Sequence, residues 1–296
     1  MPKIFHVDAF TREPFRGNSA GVVLDADGLS ETQMQLIARE LRHSETAFVL
    51  TSEESDVHIR YFTPTIEVPI CGHATVAAHY VRAKVLGLTQ GSVWQTSQAG
   101  RHRVDIIREG DDYRIALEQG PASFSPPLVG ELRAAIIQAL QLSEADMLEG
   151  VPIQIVSTGH SKVMIPLKSG VDIDALNPDM DALTRISTRI DCNGFFPFLL
   201  RPGESVTDGR MFSPAIGINE DPVTGNANGP MGAFIACHRL LDTSGEVLNI
   251  SGHQGRALGR DGVVSISVTL RDKQPDIVTI SGNAVILFAG ELNVAI

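Results

Sequence analysis

Apolar and polar positions alternate along residues 57–62, VHIRYF, which predicts a strand with one buried face. The run before it, ETAFVL from Glu45 to Leu50, is short and apolar with one charge at its entry, so the two segments predict a hairpin. Residues 4–10 (IFHVDAF) and 20–24 (AGVVL) also have strand character, with a turn rich in Gly, Asn and Pro between them. The period then becomes helical: Met34, Ile37, Ala38 and Leu41 fall on one face, and Ser30 with Gln33 forms a capping box behind the staple residue Leu29. That helix should end near Arg42 or His43. Residues 74–86, ATVAAHYVRAKVL, are small or apolar around most of the helical circumference, as in a helix enclosed by other elements. The strands SVWQTS, HRVDIIRE and DYRIALEQG follow, and the Pro and Ser density of residues 121–130, PASFSPPLVG, predicts a linker.

The second half repeats the first. Phe62-Thr63-Pro64-Thr65-Ile66 is echoed by Phe212-Ser213-Pro214-Ala215-Ile216, an offset of 150 residues (212 − 62). Gly72-His73-Ala74 is echoed by Gly225-Asn226-Ala227, which opens another small-residue helix, NANGPMGAFIACHRLL. So long a period is not that of a solenoid. It predicts two similar domains, residues 1–122 and 123–296, facing each other about a pseudo-twofold axis, with the last strand free to cross back to the first domain.

Length and composition agree with two globular domains: 296 residues, 43% hydrophobic, formal net charge −11. That charge repels phosphate backbones and no window is densely basic, so nucleic acid is not expected as a partner. The N-terminal MPKIFHVDAF lacks the basic and apolar segments of a secretion signal, and no run approaches the roughly 18 apolar residues of a membrane span. Three widely separated cysteines, Cys71, Cys192 and Cys237, suit a reducing compartment. The expectation is a cytoplasmic protein with no membrane partner.

Each copy of the repeat places a glycine at the N-terminus of a buried helix, where unpaired N–H groups carry partial positive charge and bind carboxylates. Two such N-termini meeting across a domain cleft would bracket a small anionic substrate. Read singly, each is also an ordinary helix start whose glycine relieves crowding. A metal site is not expected at CGHAT, because Cys71 and His73 are only two apart in sequence and no second thiol or histidine pair supports them. Cys71 as a nucleophile stays open, since a thiol at a helix N-terminus is activated. The second copy carries Asp221-Pro222-Val223-Thr224 there, so no second thiol faces it.

Four stretches in order, HSETAFV, FTPTIEVPICGHAT, DGRMFSPAIG and EDPVTGNANG, together with the opening FHVDAFTREPFRGNSAGVV, resemble the signatures of the PhzF-like isomerases of phenazine biosynthesis. The resemblance covers essentially the whole chain. It implies an α+β fold of two diaminopimelate epimerase-like domains, each a curved, mostly antiparallel sheet rolled around a central helix, with the active site between them. It also implies catalysis without a cofactor. In the epimerases two opposed thiols act as bases; Cys71 matches the first, but the second falls at or beside Pro222, which argues against two-thiol racemisation. By the same match Glu45 is the catalytic carboxylate, His73 and Asp208 polarise or orient the substrate with Ser213, and the amides of Gly72, His73, Gly225 and Asn226 hold its carboxylate. For Asp208 an Asx-type turn is the alternative.

The resulting expectation is a cofactor-independent isomerase of a small carboxylate, with a homodimer left open. An amino-acid or hydroxy-acid epimerase using Glu45 with a different second base is the alternative enzyme. A binding protein for small anions is the alternative from another class, although anion capture alone needs no base such as Glu45. A nucleotide-binding role for GHQGRALGR lacks the GK[ST] ending and the strand-to-helix context.

Overall fold

The computed structural model describes residues 2–293. The chain divides into two units, Met1–Glu118 with Ser281–Ile296, and Gln119–Ile280. Five α-helices are present among the described residues: α1 (Glu31–Leu41), α2 (Gly72–Leu86), α3 (Gly130–Ala139), α4 (Met180–Ile190) and α5 (Gly225–Cys237).

In the first unit, Lys3–Ala9 lies antiparallel between Ala284–Glu291 and Asn18–Leu24. Asn18–Leu24 is parallel to Thr46–Leu50, and the connection between them carries α1. Thr46–Leu50 and Val57–Phe62 form the expected antiparallel pair. Val57–Phe62 is in turn parallel to Gly91–Ser97 across α2, and Gly91–Ser97, Gly100–Glu109 and Asp112–Gly120 finish as an antiparallel meander.

The second unit runs through the same sequence of pairings. Ile153–Ser157 is antiparallel to Ser161–Leu167, which is parallel to Phe195–Leu200 across α4. Phe195–Leu200 is antiparallel to Val206–Gly209, which is parallel to Val247–Gln254 across α5, and Gly262–Arg271 continues antiparallel. The repeat seen in a few short motifs is thus a repeat of the whole strand order.

Helices on both faces explain why AGVVL and TAFVL read as continuous apolar runs rather than alternations. Val23 and Phe48 pack with Met34, Ile37 and Ala38 of α1. α2 packs against the strands Lys3–Ala9, Asn18–Leu24 and Thr46–Leu50. Both Val22 and Val23 are therefore fully buried, each stabilising the fold by about 1.5–3 kcal/mol. α1 starts where the capping box predicts: Gln33 N–H donates to Ser30 Oγ, and Arg42 at φ 56° ends the helix.

The enclosed helices are buried all round. α2 buries 11 of its 15 residues and α5 buries 11 of 13, which accounts for their lack of an apolar stripe. Sheet and helix can close on α5 because Gly232 has no side chain; a Cβ there would lie 2.5 Å from Ile266 Cγ2. α5 stops at Cys237, short of the expected HRLL tail.

One expectation fails. Residues 121–130 are not a linker, because Ser123–Leu128 forms a strand antiparallel to Ile153–Ser157. Pro126 and Pro127 are tolerated because the register shifts between Gln154 and Val156, so the missing N–H groups fall at an irregularity in the ladder. Among the described residues no helix is long and apolar enough to cross a membrane.

Candidate active site

Glu45 sits immediately before Thr46–Leu50, and its carbonyl accepts from the Gly21 amide at 3.1 Å. The parallel ladder thereby holds the backbone that carries the carboxylate. Gly21 permits this approach, since a Cβ there would come within 2.8 Å of Thr46 Oγ1 and 3.1 Å of His43 Cδ2. His73 is in the first turn of α2 and is buried.

Strand and helix bring the two together: His73 Nε2 lies 3.3 Å from Glu45 Oε2 and 3.2 Å from Ser44 Oγ. On the other side of the ring, Asn18 Nδ2 is 3.3 Å from Nδ1. An amide N–H donating to Nδ1 leaves the ring proton on Nε2, directed at the carboxylate and the Ser44 hydroxyl. Cys71 Sγ is 3.4 Å from Nδ1 and 3.9 Å from Nε2. Asn18 and Ser44, which the motif reading passed over, are therefore the neighbours that orient His73.

Cys71 is the N-cap residue of α2, and no side chain caps this helix or α5, whose N-cap is Thr224. The amides of the opening turns, Gly72 and His73 in one helix and Gly225 and Asn226 in the other, thus have no capping side chain as partner. A directed chain of hydrogen bonds ends on the Cys71 carbonyl. Arg82 donates to His79 Nδ1 at 3.1 Å, His79 Nε2–H to Gln95 Oε1 at 2.8 Å, and Gln95 Nε2 to Tyr61 Oη at 3.1 Å. Tyr61 O–H then donates to Thr75 Oγ1 at 2.6 Å, and Thr75 to the Cys71 carbonyl at 2.7 Å. Burial pushes the Tyr61 hydroxyl well above its ordinary pKa and lowers that of His79 to about 3, so both stay neutral. The buried polar residues along α2 brace its N-terminus.

The remaining sequence-derived residues lie in the second unit. Asp208, on Val206–Gly209, accepts from Arg201 Nε and Nη2 at 2.8 and 2.7 Å and from Arg256 Nη1. Burial raises its carboxyl, but the hydrogen bonds from Arg201 and Arg256 outweigh this and hold it below the ordinary carboxylate range. Asp208 is a bound carboxylate between two guanidiniums, a setting no local motif announced. Ser213 is buried at the end of Met211–Ser213, and Asn226 Oδ1 accepts from Gln119 Nε2 at 3.1 Å. Among the described residues no hydrogen bond or ion pair joins Asp208 to Ser213, Gly225 or Asn226, whereas Glu45 and His73 are in direct contact.

Glu45, Cys71 and His73 each offer one ligand atom within 4.8 Å of the other two. The Cys71-to-His73 spacing by itself lacks this third donor, which the fold brings from a strand.

The sequence model of the PhzC-PhzF phenazine biosynthesis-like proteins matches residues 7–290. An uncharacterized isomerase YddE of Escherichia coli (strain K12) is 71% identical over 290 residues, covering 98% of this chain and 98% of that protein. The trans-2,3-dihydro-3-hydroxyanthranilate isomerase of Pseudomonas chlororaphis is 33% identical over 290 residues, 97% of each chain. The crystal structure of a Bacillus anthracis phenazine biosynthesis protein of the PhzF family superposes with a TM-score of 0.87 at 33% identity, covering 99% of both chains.

Proposed function

Because this chain is an isomerase and belongs to the phenazine biosynthesis-like (PhzF) family, we propose that Glu45 is its acid/base and moves a proton between two carbons of a small carboxylate without a cofactor. The contact of His73 Nε2 with Glu45 Oε2 at 3.3 Å carries this reading. With His73 Nε2–H donating to one oxygen of the ionised carboxylate, the other oxygen is left to take a C–H proton, and the electron pair moves into the substrate's π system. The resulting carboxylic acid returns the same proton to a second carbon, which shifts a double bond and leaves Glu45 ionised again. The opening amides of α2 suit the substrate's carboxylate, by charge and by their lack of a capping side chain. Substrate-holding roles for Asp208, Ser213, Gly225 and Asn226 belong to the same proposal.

The substrate named for the Pseudomonas relative, trans-2,3-dihydro-3-hydroxyanthranilate, is the first compound to try. If the donor carbon is deuterated, product formed in ordinary water should keep part of the label, because the proton rides on a shielded carboxyl. Glu45→Gln cannot cycle between acid and base and should lose at least about a hundredfold in kcat. Full activity in that variant, with its circular dichroism unchanged, would remove Glu45 from the mechanism.

A further inference from the structure

The cluster at the start of α2 has a chemistry that proton transfer does not use: a thiol, an imidazole and a carboxylate converge there. Zinc at about 2.0–2.2 Å from nitrogen and oxygen and about 2.3 Å from sulfur, in tetrahedral geometry, needs ligand atoms about 3.4 Å (N to O) and about 3.6 Å (S to N) apart. Glu45 Oε2 to His73 Nε2 is 3.3 Å, and Cys71 Sγ to the same nitrogen is 3.9 Å. All three ligand atoms lie within 4.8 Å of one another, so small side-chain rotations would complete the set. Cys71 and His73 are buried, whereas Glu45 is partly exposed and leaves a way in. Cys71 is in no disulfide.

Asn18 supplies the outer contact such a site needs. When its amide N–H faces His73 Nδ1, the ring proton is on Nε2; turned over, its carbonyl accepts from Nδ1–H and frees the Nε2 lone pair for a metal. We propose that Glu45, Cys71 and His73 form a three-ligand site for Zn²⁺, with the fourth position open to water. On binding, the thiol gives up its proton to solvent, and the metal takes both the lone pair of His73 and the carboxylate of Glu45. The bound form is thereby inactive in proton transfer. Zinc binding itself stands whether or not Glu45 is the acid/base; only the inactivation rests on that reading.

Co²⁺ titrated into the purified chain as a zinc probe tests this without any substrate. The expected result is one tight equivalent with a thiolate-to-cobalt charge-transfer band in the near ultraviolet and intense tetrahedral d–d bands, all displaced by Zn²⁺. Cys71→Ser should abolish the charge-transfer band. Glu45→Gln and His73→Asn should each weaken cobalt binding, whereas Cys237→Ser should leave the spectrum unchanged. X-ray absorption of the zinc-loaded wild-type chain needs no variant and should show one sulfur with nitrogen and oxygen neighbours. A charge-transfer band that survives Cys71→Ser, binding unaffected by Glu45→Gln and His73→Asn, or a zinc shell without sulfur would overturn the proposal. The deuterium experiment on Glu45 is independent of all of these outcomes.

Discussion

At the scale of single residues, the candidate site depends on which atoms flank the His73 ring. Nε2 faces Glu45 and Ser44, Nδ1 faces Asn18, and the Cys71 thiol lies 3.4 Å from Nδ1. If Glu45 alone carries the proton, Cys71→Ser should keep most of the wild-type kcat, because a hydroxyl can occupy the same space beside the ring. A loss as large as that of Glu45→Gln would instead place the thiol in the chemistry and favour the two-base epimerase reading. Of these neighbours, HSETAFV and CGHAT identify Glu45, His73 and Cys71 in the sequence. Asn18 and Ser44 lie within the matched stretches FRGNSAGVV and HSETAFV, but neither shows its role there, since a polar residue acquires one only from the ring it faces.

At the scale of elements, α2 is legible as a buried helix but not as the anchor of a polar chain. Its His79 is held neutral with a pKa lowered to about 3, chiefly by burial. The unfolded chain takes up this proton near the ordinary value of 6.5 and the folded chain only near 3, so the stability from neutral His79 is fully present above 6.5 and drains away as the pH falls between those values. This one group should steepen the acid limb of the stability curve by about 1.4 kcal/mol per pH unit in that window. Urea denaturation at several pH values should show the slope in the wild type and its reduction in His79→Gln. An unchanged slope in that variant would mean that His79 is protonated in the folded chain. At the same scale, Ser123–Leu128 shows where composition misleads: prolines that would break a regular ladder are absorbed at a shifted register.

At the scale of the molecule, the first unit is closed by chain from the far end of the sequence. Ala284–Glu291 pairs with Lys3–Ala9, Phe10 N–H donates to the Asn283 carbonyl at 2.8 Å, and Asn283 Nδ2 donates to the Tyr113 carbonyl at 2.9 Å. A chain terminated after Gly282 would leave one side of Lys3–Ala9 unpaired and uncover Phe5 and Val7. Amide hydrogen exchange should then lose its protection at the amides of residues 3–9 that face Ala284–Glu291, while those facing Asn18–Leu24 keep it. Wild-type protection in the truncated chain would show that the returning strand is dispensable.

What the sequence determined by itself is local or periodic. The capping box at Ser30, the alternation of VHIRYF and the all-round apolar circumference of α2 each follow from interactions within a few residues, and the echo of short motifs at an offset of 150 exposes the duplication. The motifs shared with the PhzF family carried the fold class and the isomerase reading, which the whole-chain match bears out. Only the tertiary structure decided the parallel pairings across α1, α2, α4 and α5, the return of Ala284–Glu291, and the two guanidiniums on Asp208. It also decided the meeting of Glu45 with Cys71 and His73. Apart from Arg201 with Asp208, seven residues away, these join residues far apart in sequence. Loop-closure entropy, burial and charge settle such contacts together, and no short window of the chain contains all three.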